Sequence, residues 1–218
     1  ILKKKILSFQ NWVLNFSFDP ILSGDKSLSC ATCHHPIFSM TDGRVLPIGV
    51  GGVGLGVERF FGKKINVSAE YRSSEDEKIS NPFIGRLIPR NSQTIINSHL
   101  LRTQFWDGRV ENKISGDPVK TLEPEVNKLG LKDPLAAQVL FPIVSTAEMA
   151  GISFGPKVSH LVRDMVVKRL EENKYYTKRF KEIFGKSKID LLQVSSSIAA
   201  FERSLIFNES PWDHYING

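Results

Sequence analysis

The chain has little cysteine, only two residues in 218. Two thiols can form one bridge at most, so a disulfide framework is excluded. Long hydrophobic runs are also missing. No stretch approaches the roughly 18 apolar residues that cross a bilayer, so no membrane span is expected. The net charge is +6 and the pI about 9.3, but lysine and arginine are scattered. No basic stripe interleaved with aromatics is present, so no nucleic-acid partner is expected. Sustained apolar/polar alternation is lacking too, and with it the signal for a sheet. What remains is an ordinary soluble composition, 41% hydrophobic and 24% charged. Its length suits one domain with a sizeable core, or one domain plus extensions.

Both cysteines lie in one run, Cys30-Ala31-Thr32-Cys33-His34. A Cys-x-x-Cys redox pair or a zinc site would also use such thiols. A redox pair does not require histidine in the next position, and a zinc site would have to draw its four ligands from the two thiols and the clustered His34 and His35. A c-type haem uses all three residues: each thiol adds to a vinyl group, and the adjacent imidazole reaches the iron. One covalent haem c is therefore expected, on Cys30 and Cys33 with His34 as proximal ligand. His35 is expected to face solvent or a propionate. Haem ligation takes place outside the cytoplasm, so a periplasmic location is expected, although no export signal is visible. Lys3-Lys4-Lys5 and the segment to Phe18 only faintly suggest one, because Gln10, Asn11 and Asn15 interrupt it. A loosely basic surface suits an acidic redox partner.

Residues 1–18 read as a short helix leading into Phe18-Asp19-Pro20. A loop over 20–29 follows, then the haem motif. The glycine-rich stretch from Ile48 to Gly62 lacks the Lys-Ser/Thr of a phosphate loop and reads as a loop folding close over the haem. A polar insertion is drawn at about 63–81, most charged from Glu70 to Asn81. Helical periodicity marks Val158 to Leu170 and then about Asp190 to Phe207, with Asp190 as N-cap. The fold class read from this pattern is all-α, a cytochrome c-like haem domain with long loops and little or no sheet.

Taken together, these blocks resemble the bacterial di-haem cytochrome c peroxidases. The resemblance is carried by Phe18-Asp19-Pro20-Ile21-Leu22-Ser23, the haem motif and Phe38-Ser39-Met40-Thr41-Asp42-Gly43. It continues through Arg90-Asn91-Ser92-Gln93-Thr94, Phe105-Trp106-Asp107-Gly108-Arg109, Glu148-Met149 and Ala199 to Leu205, and closes with Ser210 to Gly218. The family has two haem domains, a peroxidatic one and an electron-receiving one. The resemblance implies that residues 1–218 are the N-terminal peroxidatic domain, with the C-terminal haem domain absent. It implies reduction of hydrogen peroxide to water with electrons from a small cytochrome c or copper protein. The alternatives are a mono-haem electron-transfer cytochrome without turnover, or a relative that oxidises side chains of a partner protein. A bared domain face would invite a homodimer.

By the same resemblance, Trp106 lies between the two haems, whereas composition alone would make it a core aromatic. Asn91 aligns with a calcium site between the domains, although one carboxamide is far short of the six to eight oxygens calcium takes. Glu148 matches the distal acid–base glutamate and Gln138 a distal glutamine. The chemistry of Glu148 can also be argued directly. Peroxide cleavage needs a base for one oxygen and an acid for the other, and one carboxylate in a partly desolvated pocket serves as both. The loop from Ile37 to Gly62 holds no histidine, which suggests an open or water-bound distal face. Met40 reads as packing; His99, His160 and His214 read as structural.

Overall fold

The structure, a computed structural model, describes residues 12–62, 87–114, 116–151, 154, 158–186 and 188–218. The polar insertion and the first eleven residues of the expected N-terminal helix lie outside the described residues.

Helix α1 (12–18) opens the described chain and ends at Asp19, whose carboxylate accepts from Ile21 N–H at 2.8 Å and caps a 3-10 turn over Pro20–Leu22. The haem motif is α2 (Cys30–Cys33). Strands β1 (Gly52–Val53) and β2 (Phe60–Phe61) pair antiparallel within the glycine-rich stretch. Strands β3 (Thr103–Gln104), β4 (Val110–Glu111) and β5 (Lys120–Thr121) form a second antiparallel sheet. Short helices α3 (Pro124–Asn127) and α4 (Pro134–Gln138) follow, each started by proline. Three longer helices, α5 (Ser159–Glu171), α6 (Lys174–Phe184) and α7 (Leu191–Ser204), precede α8 (Pro211–Asn217).

The all-α expectation with little or no sheet is therefore wrong: the described residues are helical with two small sheets. Each strand is two residues long, too short for alternation to appear in sequence. The pairing Gln104 to Val110 and Val110 to Thr121 is fixed by burial of Val110 against α4. Such strands are a product of packing, not of local propensity.

The largest core cluster joins α1 to α5, α6 and α7. Trp12 stacks on Phe16 at 5.5 Å, and Phe180 meets Trp12 edge-on at 5.2 Å, the offset geometries that aromatic quadrupoles favour. Tyr176 donates its hydroxyl to Asp19 at 2.6 Å, tying α6 to the chain just ahead of the haem motif. Arg169 on α5 donates to the carbonyls of Ile21 and Gly24 at 2.9 and 3.1 Å, which holds the following loop. Asp190 caps α7 as expected, accepting from Gln193 N–H at 2.8 Å while Gln193 returns the bond to Asp190 N–H at 3.1 Å. The helix stops at Ser204, three residues before the expected Phe207.

Candidate functional site

Ser29 and Thr32 shape the haem motif. Ser29 N–H donates to Thr32 Oγ1 at 3.0 Å, and His34 N–H donates to Cys30 O at 2.9 Å, closing one helical turn. At i and i+3, Cys30 and Cys33 share one side of that turn. Segment 91–94 crosses over it, with Ser92 Oγ donating to Cys33 O at 2.9 Å and Thr94 Oγ1 to Ser39 O at 2.6 Å. Burial pushes both thiols up to about 12, helped by Glu202 at Cys30 and by Asp42 at Cys33. Redox-active Cys-x-x-Cys pairs have depressed thiol pKa values, so this environment disfavours that alternative. It suits thiols that end as uncharged thioethers.

His34 Nδ1 lies 3.2 Å from Met40 O. A carbonyl only accepts, so Nδ1 carries the proton and Nε2 keeps its lone pair. Burial lowers the His34 pKa, which keeps the imidazole neutral. A neutral ring with a fixed tautomer is what an axial iron ligand requires. His34→Gly is expected to leave haem attached through the thioethers while losing the proximal bond. The ferrous absorption spectrum checks this, and an unchanged spectrum would place the proximal ligand elsewhere.

Cys30, Cys33 and His34 open onto a cavity of about 330 Å³. Its wall also includes Trp106, Gln138, Glu148 and Glu202. The size is in the range of small-molecule and cofactor pockets. Protonated paired thiols, a neutral imidazole and one shared cavity fit a c-type haem.

Glu148 sits in the turn 145–151. Its N–H meets Ser145 Oγ at 3.3 Å and its carbonyl accepts from Val50 N–H at 2.8 Å. Burial raises the carboxyl pKa above the ordinary carboxylate range, and the nearby Arg109 opposes the rise. Among the described residues no hydrogen bond reaches that carboxyl. Gln138, the last residue of α4, faces the same cavity.

Trp106 is no core aromatic. It is 61% exposed in the turn between β3 and β4, with Nε1 donating to Asn91 O at 3.0 Å. The turn is strained at Phe105, where φ is +69° in a bulky residue. Arg109 lies 3.7 Å over the Phe105 ring and pairs with Asp107 at 3.0 Å, which steadies this edge of the cavity. Asn91 donates its carboxamide nitrogen to Arg44 O, leaving one side-chain oxygen for any cation. Among the described residues, no three of His, Cys, Asp and Glu gather where they could hold a metal ion.

The other histidines lie apart from the thiols' cavity wall. His35 caps the 3-10 turn at Pro36–Phe38 and packs between the rings of Phe18 and Phe38. His160 and His214 are exposed on α5 and α8. Met40 is buried and contributes its carbonyl.

Sequence reasoning missed Glu202. It lies four residues after Ile198, on the buried face of α7, and is 6% exposed. Burial pushes its carboxyl up to about 8, with Asp133 adding to the rise and Arg203 opposing it. An acid at i+4 on an apolar helix face was the available signal. Arg59 was also missed. It is 4% exposed inside the glycine-rich loop.

A family model described as di-haem cytochrome c peroxidase matches residues 15–218. Similar curated proteins include the methylamine utilization protein MauG of Methylorubrum extorquens, 26% identical over 202 residues. The cytochrome c551 peroxidase of Nitrosomonas europaea is 24% identical over 201 residues, and the cytochrome c peroxidase Ccp of Escherichia coli is 27% identical over 200. Each alignment takes in 92% of this chain but only 39%, 41% and 29% of the respective relative. The crystal structure of a MauG-like protein associated with microbial copper homeostasis superposes with a TM-score of 0.55 at 20% identity, over 96% of this chain and 44% of that one, a likeness of fold. With a matching model over nearly its whole length, this chain belongs to the di-haem cytochrome c peroxidase family.

Proposed function

We propose that this chain is a peroxidatic haem domain that reduces hydrogen peroxide to water with electrons from a small redox protein. One observation carries the reading: the Cys-x-x-Cys-His residues and Glu148 share one cavity, and Glu148 is desolvated there. Cys30 and Cys33 would hold one haem c and His34 would ligate its iron. When bound, the haem supplies the iron that holds peroxide and passes electrons to it.

The chain's own residues handle the protons. Ionised Glu148 takes the proton from one peroxide oxygen and returns it to the other, which leaves as water. Burial raises its pKa, which makes it a stronger base than a surface carboxylate, and the proton it takes up is the one it returns. Gln138 offers an amide N–H to orient the bound oxygens. Trp106, exposed at the cavity edge, would face the source of electrons, whether a second haem domain or a donor protein. The whole chain 1–218 is then one haem domain of the family's pair. Covalent haem implies a periplasmic location, and among the described residues no helix is long and apolar enough to cross a membrane. Asn91 would contribute one oxygen to a calcium site completed from elsewhere.

Mass spectrometry under denaturing conditions tests the foundation. After expression with haem-ligation machinery, the chain is expected at its own mass plus one haem. A bare-chain mass would sink the proposal. The ferric spectrum then separates peroxidase from electron carrier. A high-spin iron with an open sixth position is expected, and a low-spin spectrum would favour the carrier.

A further inference from the structure

We propose that Arg59 is a positioning residue for Glu148, acting through the glycine-rich loop. This rests on the reading of Glu148 as the acid–base group. The Arg59 guanidinium is buried inside the loop and donates from Nε to Ile48 O at 2.7 Å, from Nη2 to Gly49 O at 2.7 Å and from Nη1 to Gly54 O at 2.9 Å. Three carbonyls on one rigid fork fix the loop's shape from within, which a lysine ammonium on a flexible stem cannot reproduce. Arg44 braces the outer side, donating to Val57 O at 3.0 Å and Arg59 O at 2.9 Å.

The loop is a mould for the turn that carries Glu148. Gly49 lies so close that a Cβ there would fall 1.6 Å from Ala147 O. Gly151, at φ +57°, makes room for Val50, since a Cβ on it would sit 2.8 Å from Val50 Cγ1. Between these contacts Val50 N–H donates to Glu148 O at 2.8 Å. Glycine on both sides leaves little side-chain packing to set the distance between loop and turn. Hydrogen bonds set it, and Arg59 holds the carbonyls on either side of the first of those contacts. With no hydrogen bond to its carboxyl among the described residues, Glu148 is aimed by its backbone, so the loop decides where the carboxyl sits.

The test uses the haem-loaded chain and cyanide as probe, because hydrogen cyanide must give up a proton when it binds ferric iron. Glu148→Gln is expected to slow cyanide association by ~10²- to 10⁴-fold, the usual worth of general acid–base help. Arg59→Lys is expected to slow it about tenfold, within the range of coupled neighbours. The double variant should be no slower than Glu148→Gln alone. In Arg59→Lys the pH midpoint of the rate should fall toward the ordinary carboxylate range as water reaches Glu148, with Arg109 unchanged beside it. Additive slowing with an unmoved midpoint overturns the role of Arg59 and leaves Glu148 standing. A wild-type rate in Glu148→Gln overturns both. If Arg59→Lys takes up no haem, Arg59→Gln replaces it, and failure of both to load makes Arg59 a residue of the fold alone, which also ends the proposal.

Discussion

Glu148→Gln is expected to lower the single-turnover rate of the haem-loaded chain with hydrogen peroxide by ~10²- to 10⁴-fold while leaving haem content and melting temperature in place. The amide matches the carboxyl in shape but cannot accept the proton that peroxide must release. Glu148 has no hydrogen bond to its carboxyl among the described residues, and the amide keeps its volume, so haem content and melting temperature are the controls that should hold. The wild-type rate should fall as pH drops through the Glu148 pKa, because only the ionised form is a base. Burial raises that pKa above the ordinary carboxylate range, so the acid limb lies higher than for a surface glutamate. Arg109 holds it down in part, so Arg109→Gln should shift the limb to still higher pH. Stopped-flow absorption of the haem reads both effects. Equal rates in wild type and Glu148→Gln would return Glu148 to an ordinary half-buried acid.

Glu202 is expected to make stability depend on pH. Its folded pKa is about 8 against an ordinary 4.5. Between these values the folded chain holds a proton that the unfolded chain has lost, so the contribution is whole below the lower value and is lost as pH rises toward the upper one. Each tenfold difference in proton affinity between the folded and unfolded chain corresponds to about 1.4 kcal/mol, so the effect amounts to a few kcal/mol. Glu202→Gln keeps the neutral, hydrogen-bonding shape and removes the titration. The variant should match wild type near pH 4.5 and exceed it near pH 8. Urea midpoints of the two haem-loaded chains across that window provide the comparison. Parallel curves would mean that Glu202 ionises freely in the fold.

The haem motif, α5, α7 and the Asp190 cap of α7 were legible because each is a local pattern. The spacing from Cys30 to His34 is the one a c-type haem motif has, and it is complete within five residues. The Asp190–Gln193 capping box is closed by residues three apart. Helix α6 carried equally local marks in Asn173, which accepts from Tyr175 N–H at 2.9 Å, and in Gly185 at φ +70°.

The two sheets were illegible for the opposite reason. A two-residue strand has no period, and Val110 pairs with Gln104 and Thr121 only because α4 gives it a place to be buried. The site divides in the same way. By itself the sequence determined the family and pointed to a c-type haem motif, and through the resemblance it named Gln138 and Glu148 as candidates, since motif and block order are written along the chain. Only the tertiary structure decided that Trp106 stands at the surface, that Glu202 is a desolvated acid in the cavity wall, and that Arg59 holds the loop behind Glu148. Burial and long-range hydrogen bonding set those properties. They arise when segments distant in the chain, such as Val50 and Glu148, are brought within 2.8 Å.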